Sequence, residues 1–257
     1  MGINHYHTLK VRFEQDICFV QMYRPDADNA LNEQMIDELI DIYQVCETQA
    51  KIVVLEGTES VFCFGADFKE VGSDDDAQED SPAPLYELWQ KMATGPYLTI
   101  AHVRGKVNAG GVGLVAASDI VLSESAATFS LSELLFGLMP ACVLPFLIRR
   151  IGVTKANYMT LMTQPIQASQ AAEWGLVDTI EQNSTNLLRR HLLRLRRLDK
   201  KAISRYKAYL AELDSFIDDA KAPAVAGNLA VFSDPENVAK IVRYTQTGQF
   251  PWEDNRA

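Results

Sequence analysis

Val103-Arg104-Gly105-Lys106-Val107-Asn108-Ala109-Gly110-Gly111-Val112-Gly113 closes a buried apolar run and opens towards a helix. A second stretch, Val61-Phe62-Cys63-Phe64-Gly65-Ala66-Asp67-Phe68, has the same setting. The first N–H groups of a helix have no partner within it and point out of the end of a sheet. Small residues let a ligand oxygen come close to that backbone. Two such turns together can aim two N–H donors at one carbonyl oxygen, which is an oxyanion hole. Either turn taken singly reads more simply as a tight connection. Neither fits GxxxxGK(S/T), and Ala109 to Gly113 lacks the GxGxxG spacing, which argues against a nucleotide cradle.

Outward from these turns the chain alternates strands and helices. Thr8 to Arg24 holds two strand-like runs joined by an acidic turn, with Leu9, Val11, Phe13, Cys18, Val20 and Met22 on one face. After a polar loop, Arg24 to Asn32, the apolar residues Met35, Ile36, Leu39, Ile40, Tyr43 and Cys46 recur at helical spacing. Lys51 to Gly57 is a strand buried on both faces. Pro84 and Gly95 bracket a helix, and Pro96 to Gly105 is the next strand. Leu114 to Ser118 reads as an apolar helix and Asp119 to Ser123 as a strand. From Leu144 the chain is nearly all helical: two short helices to Met162, another ending at Gly175, the strand Leu176 to Ile180, then four C-terminal helices. This strand–turn–helix rhythm means α/β architecture, with a core over 1–184 and a helical region over 185–257.

The sequence has 257 residues, 47% of them apolar and 23% charged, a composition that suits one globular unit with a core. No apolar run is long enough to span a membrane. The N-terminus lacks a basic and an apolar export region, and its Met-Gly start lacks the Ser or Thr of a myristoylation signal. Cys18, Cys46, Cys63 and Cys142 form no CxxC pair and sit beside apolar neighbours, as free thiols of a reducing compartment do. A cytoplasmic protein is expected. The four histidines are scattered, and no metal site is expected. The net charge of −10 argues against a nucleic-acid surface. It is unevenly spread: Ser73 to Asp80 is a block of acid, and Arg189 to Lys207 is densely basic.

The pair of turns, their order and spacing, the Arg24–Asn32 loop, Glu173 to Asp178 and the helical tail resemble the crotonase (enoyl-CoA hydratase/isomerase) superfamily over nearly the whole chain. The resemblance implies a ClpP-like spiral of ββα repeats, a C-terminal helical region at the contacts of a homotrimer or dimer of trimers, and no cofactor beyond the phosphopantetheine arm of CoA or an acyl carrier protein. It places the oxyanion donors on the backbone N–H groups of Ala66 and Gly110. Of the two glutamates of typical hydratases, the first falls on Gly113 and the second on Glu133, within Ser132-Glu133-Leu134-Leu135-Phe136-Gly137. A lone carboxylate suits syn elimination, with Glu133 taking the α-proton and then protonating the departing β-hydroxyl. It suits a double-bond isomerase equally.

Phe62 to Phe68, His102 to Gly111, Phe129 to Leu138, Pro140 to Gly152 and Thr247 to Asp254 are similar to the first crotonase-like enzyme of polyketide β-branching cassettes. That likeness implies dehydration of 3-hydroxy-3-methylglutaryl on an acyl carrier protein to 3-methylglutaconyl thioester. The alternatives are enoyl-CoA hydration or isomerisation, methylglutaconyl decarboxylation, or a non-catalytic protein binding RNA or a partner, although no RNP or KH signature is present. Lys106, Asn108 and Arg104 are candidates for a substrate carboxylate, and Tyr86 and Trp89 for the acyl pocket or the plain core. The basic stretch reads either as a solvated face or as a docking surface for an acidic carrier or CoA phosphates. The acidic block reads as a loop that orders on substrate.

Overall fold

The structure is a computed structural model that describes residues 5–68 and 81–253. The acidic block at 73–80 lies outside the described residues. In chain order the elements are β1 (Leu9–Glu14), β2 (Ile17–Met22), α1 (Glu33–Gln49), β3 (Ile52–Glu56), β4 (Val61–Cys63), α2 (Ala83–Thr94), β5 (Leu98–Val103) and β6 (Lys106–Asn108). Then come α3 (Gly110–Ala116), β7 (Ile120–Glu124), β8 (Thr128–Ser130), a 3-10 turn (Glu133–Phe136), α4 (Leu144–Met162), β9 (Ile166–Gln167), α5 (Ala168–Glu173) and β10 (Thr179–Glu181). The helices α6 (Ser184–Leu195), α7 (Lys200–Leu213), α8 (Phe216–Phe232) and α9 (Pro235–Thr247) complete the chain.

Two sheets carry the fold. The large one runs β1-β2-β3-β5-β7-β10 and the small one β4-β6-β8-β9. Three times the chain lays a strand in the large sheet, a short strand in the small sheet, and then a helix: β3–β4–α2, β5–β6–α3 and β7–β8–α4. This is the ββα spiral that the sequence resemblance implies. The strands of the large sheet are parallel except β1, which returns antiparallel on β2 through a tight turn with Gln15 at φ 58°. Burial on both faces explains their unbroken apolar runs. Val53, Leu55, Ala101 and Val103 face the main core with α1 to α4. Ile52, Val54, Ile100 and Leu122 face outward, under Leu187, Leu188 and Leu192 of α6 and Ile203 of α7.

Helix boundaries follow local chemistry. The Asn32 side chain accepts from Met35 N at 3.1 Å and starts α1. The Lys200 ammonium donates to the carbonyls of Cys46, Glu47 and Ala50 and closes its far end. Lys200, within the basic stretch, is therefore a helix cap and not part of a solvated face or docking surface. Gly152, at φ 76° and ψ 158°, breaks α4 into the two helical pieces expected there. Val61–Cys63, the start of the second turn stretch, is a strand of the small sheet. α3 begins at Gly110, inside the Gly-rich stretch and one turn ahead of the apolar run Leu114 to Ser118. All four cysteines are buried and free. Among the described residues no helix is long and apolar enough to cross a membrane.

Candidate active site

A cavity of about 1180 Å³ opens between the small sheet, α2 and the C-terminal helices. Ala66, Gly110 and Glu133 all line it. Ala66 is held by a parallel bridge: Leu31 N donates to Gly65 O at 2.7 Å and Asp67 N to Leu31 O at 2.9 Å. In such a bridge the amide of the middle residue points to the other side, which here is the cavity. The Arg24 guanidinium pairs with Asp67 at 2.8 Å and steadies the same turn. Asn29, fully buried, donates to Val61 O at 3.0 Å and ties the Arg24–Asn32 loop to β4.

The two turns touch. A Cβ on Gly65, whose φ is +97°, would lie 2.7 Å from Ala109 Cβ and 3.4 Å from Gly110 N. Only glycine allows this approach, and its left-handed φ excludes other residues as well. Ala109 itself sits at φ 48°, ψ −120°, with its N–H donated to Ser130 O at 3.0 Å. A strained alanine at the entry of α3 is a conformation that the neighbouring contacts must enforce. Its effect is to present Gly110 N–H, with no partner inside the helix, to the cavity. Among the described residues neither the Ala66 nor the Gly110 amide has a hydrogen-bond partner.

Glu133 opens the 3-10 turn and is 8% exposed. Its Oε2 is buried and has no partner among the described residues. Burial raises its pKa to about 7, while the Glu133 and Ser132 backbone amides pull weakly the other way. A carboxyl group that titrates there can accept and return a proton near neutral pH. The turn is clasped from behind: Asn237 of α9 donates to Gly137 O at 3.1 Å, and Leu138 N donates to Glu133 O at 3.1 Å. Edge-on ring contacts of Phe136 with Phe68 at 5.4 Å and with Tyr244 at 5.1 Å add an aromatic cover beside Glu133.

The other candidates separate. Lys106 and Asn108 share one face of β6 and line the cavity. Asn108 Nδ2 donates to Ser132 Oγ at 2.9 Å, and its Oδ1 accepts from Ser130 Oγ at 2.8 Å. Arg104 does not reach the cavity; it stands before the left-handed Gly105, which turns the chain, and its nearest acid is Glu59 at 3.8 Å. Tyr86 is likewise no part of the pocket: it is fully buried, donates to Ile217 O at 2.6 Å and packs on Phe146. Trp89, on the same helix, does line the cavity. A side chain at Gly113 would start 2.5 Å from Trp89 Cζ2 and 2.6 Å from Cη2, so the indole fills the place beside the missing first glutamate. Arg24, Asn29, Ser130 and Ser132 lie in stretches that carry the resemblance, but neither they nor Asn237 are site candidates from the sequence; pairing across distant segments gives them their roles.

Ala66, Gly110 and Glu133 thus line a single cavity. The sequence profile described as enoyl-CoA hydratase/isomerase matches residues 12–255. The chain belongs to the enoyl-CoA hydratase/isomerase family. Within that family it is 55% identical over 258 residues to the bacillaene synthase dehydratase PksH of Bacillus subtilis (strain 168), covering 99% of this chain and all of that protein. The crystal structure of the Bacillus subtilis pksH protein superposes with a TM-score of 0.93 at 54% identity, over 96% of this chain and all of that one. An enoyl-CoA hydratase from Mycobacterium avium subsp. paratuberculosis matches at TM-score 0.84 and 22% identity, over 97% of this chain and all of that one, a likeness of fold alone.

The basic stretch lies elsewhere. The α6 and α7 residues pack on the outer face of the large sheet, and none of them lines the cavity. Arg190 pairs with Glu181, and Arg196 with Glu14 at 3.5 Å. Arg189, Arg194, Arg197 and Lys201 are exposed. Among the described residues no three His, Cys, Asp or Glu side chains are gathered as metal ligands.

Proposed function

We propose that this protein dehydrates 3-hydroxy-3-methylglutaryl, carried as a thioester on the phosphopantetheine arm of an acyl carrier protein, to the 3-methylglutaconyl thioester. Its relatives are named dehydratase and enoyl-CoA hydratase, and the chain is a hydro-lyase of that family. The observation that supports chemistry through a thioester enolate is the site itself: one buried carboxyl group, Glu133, on the same cavity wall as two amides that have no partner among the described residues. The identity of 55% to a dehydratase of polyketide assembly supports a carrier-borne substrate.

The thioester oxygen accepts from Ala66 N–H and Gly110 N–H. Negative charge gathers on that oxygen as the C2–H bond breaks, and fixed donors stabilise it without having to reorganise. Glu133, ionised, takes the C2 proton. The enolate then expels the C3 hydroxyl as its C2–C3 double bond forms, and Glu133 returns the proton to that leaving oxygen. Water departs and the carboxylate is restored. One acid suffices because both transfers occur on the same face. A tertiary C3, methylated, also loses its hydroxyl readily. The homotrimer implied by the resemblance remains part of this reading.

Intact-mass spectrometry of the carrier-bound hydroxy acid with the protein tests it. The reading expects loss of the mass of one water. An unchanged mass would mean isomerisation or no reaction, and loss of carbon dioxide would mean a decarboxylase.

A further inference from the structure

Every charged side chain on the cavity wall, among the described residues, is a carboxylate except one. Asp26, Asp28, Glu33, Asp37, Asp67 and Glu133 supply the negative charge, and Lys106 alone supplies positive. Lys106 is exposed, and among the described residues its ammonium has neither an ion pair nor a hydrogen bond. Uncompensated cations beside acidic surfaces are ordinarily neutralised by the nearest acid. In the small sheet Lys106 and Thr128 stand opposite each other in register, as do Asn108 and Ser130. The cavity face of that sheet is therefore a short polar ladder, with Lys106 at one end and the Ser132–Glu133 turn at the other.

Resting on the reaction proposed above, we infer that Lys106 is the anion subsite of this enzyme and receives the distal carboxylate of a dicarboxylic acyl chain. Three candidates for that role reduce to one. Arg104 is off the cavity. Asn108 spends its amide on Ser132 Oγ and its carbonyl on Ser130 Oγ, so it braces the ladder. Lys106 remains, two residues along β6 from Asn108, about 7 Å at the rise of a strand. Gly110 lies two residues beyond Asn108 in the other direction. An acyl chain with its C1 oxygen on the Gly110 amide and C3 beside Asn108 and Glu133 points its far end at Lys106. The acids of the Arg24–Asn32 loop and of α1 disfavour an anion on their side of the wall, so attraction and repulsion favour one orientation. A neutral acyl chain of the same branching gains nothing from Lys106.

The test compares two carrier-bound substrates, 3-hydroxy-3-methylglutaryl and its neutral counterpart 3-hydroxy-3-methylbutyryl. The proteins are the wild type, Lys106→Met and Lys106→Arg, and the readout is kcat/KM for loss of water. The wild type prefers the carboxylated chain. Lys106→Met lowers that preference by about tenfold, the size of one charge-assisted contact at a partly exposed site. Lys106→Arg keeps most of it, because the charge remains. A wild-type preference that survives unchanged in Lys106→Met overturns the subsite and leaves the dehydration standing. A wild type that dehydrates neither chain removes the reaction, and the subsite with it.

Discussion

The two ends of α3 are built on opposite plans. At its N-terminal end Gly110 N–H, Ala66 N–H and Glu133 Oε2 all lack partners among the described residues. Just past its C-terminal end the polar groups are saturated. Asp119 accepts from Lys207 Nζ with both oxygens at 2.7 Å and from Thr99 N at 2.8 Å. Ser118 donates to Leu114 O at 2.9 Å and its carbonyl accepts from Arg150 Nη1 at 3.0 Å. Glu133 and Asp119 are both carboxyl groups taken out of water, and burial pushes both pKa values up. Only Asp119 is given a cation. The end with every partner in place holds the fold, and the end with partners withheld is reserved for a ligand.

The contrast can be broken from either side. Replacing Glu133 with Gln removes the proton carrier while keeping the shape, and turnover falls on the order of 10³-fold in a steady-state assay. Replacing Lys207 with Met leaves Asp119 buried without its cation and costs about 3–5 kcal/mol of stability by urea unfolding. The rate per folded molecule stays near wild type, since Lys207 does not line the cavity.

Acidity sharpens the same comparison. Glu133 is raised from 4.5 to about 7 on folding. A raised acid stabilises the fold fully below its unfolded pKa, and that contribution is lost as pH climbs through the folded value. Glu133→Gln should therefore gain stability over the wild type between pH 5 and pH 8, by about 3 kcal/mol, read as a growing difference in unfolding midpoint. The rate of the wild type rises through about 7 as the carboxylate forms. A smaller effect is expected at Gly113→Ala. The new Cβ meets the Trp89 ring at 2.5–2.8 Å, and overpacking of this kind costs about 1–3 kcal/mol. The smallest is expected on the outer helices. Arg189→Glu with Arg194→Glu changes turnover of a small thioester by less than about twofold, because surface charges far from a site are screened.

Much of this plan was legible in the sequence, and unevenly so. The strands β2, β3, β5 and β7 announce themselves because burial on both faces demands unbroken apolar runs. The strands β4, β6, β8 and β9 have two or three residues each, too few for any period to show. Ala66, Gly110 and Glu133 were reached through the family resemblance, and the structure brings all three to one cavity. Tyr86 and Trp89 could not be told apart, since both fall on the one broad buried face of α2, with Leu88, Met92 and Ala93. Arg104 and Lys106 look equivalent along the chain, and only the left-handed turn at Gly105 divides them. The space beside Gly113 was unreadable, because Trp89 fills it from a different helix.

Proton exchange at C2 is the most direct probe of the site. A 3-methylglutaryl thioester has the α-protons but no hydroxyl to lose, so in heavy water it can only form the enolate and return. NMR of that thioester with the wild-type protein should show deuterium entering C2, and with Glu133→Gln none above the uncatalysed background. Exchange at the wild-type rate in the Gln variant would contradict the account, because another group would then be removing the proton.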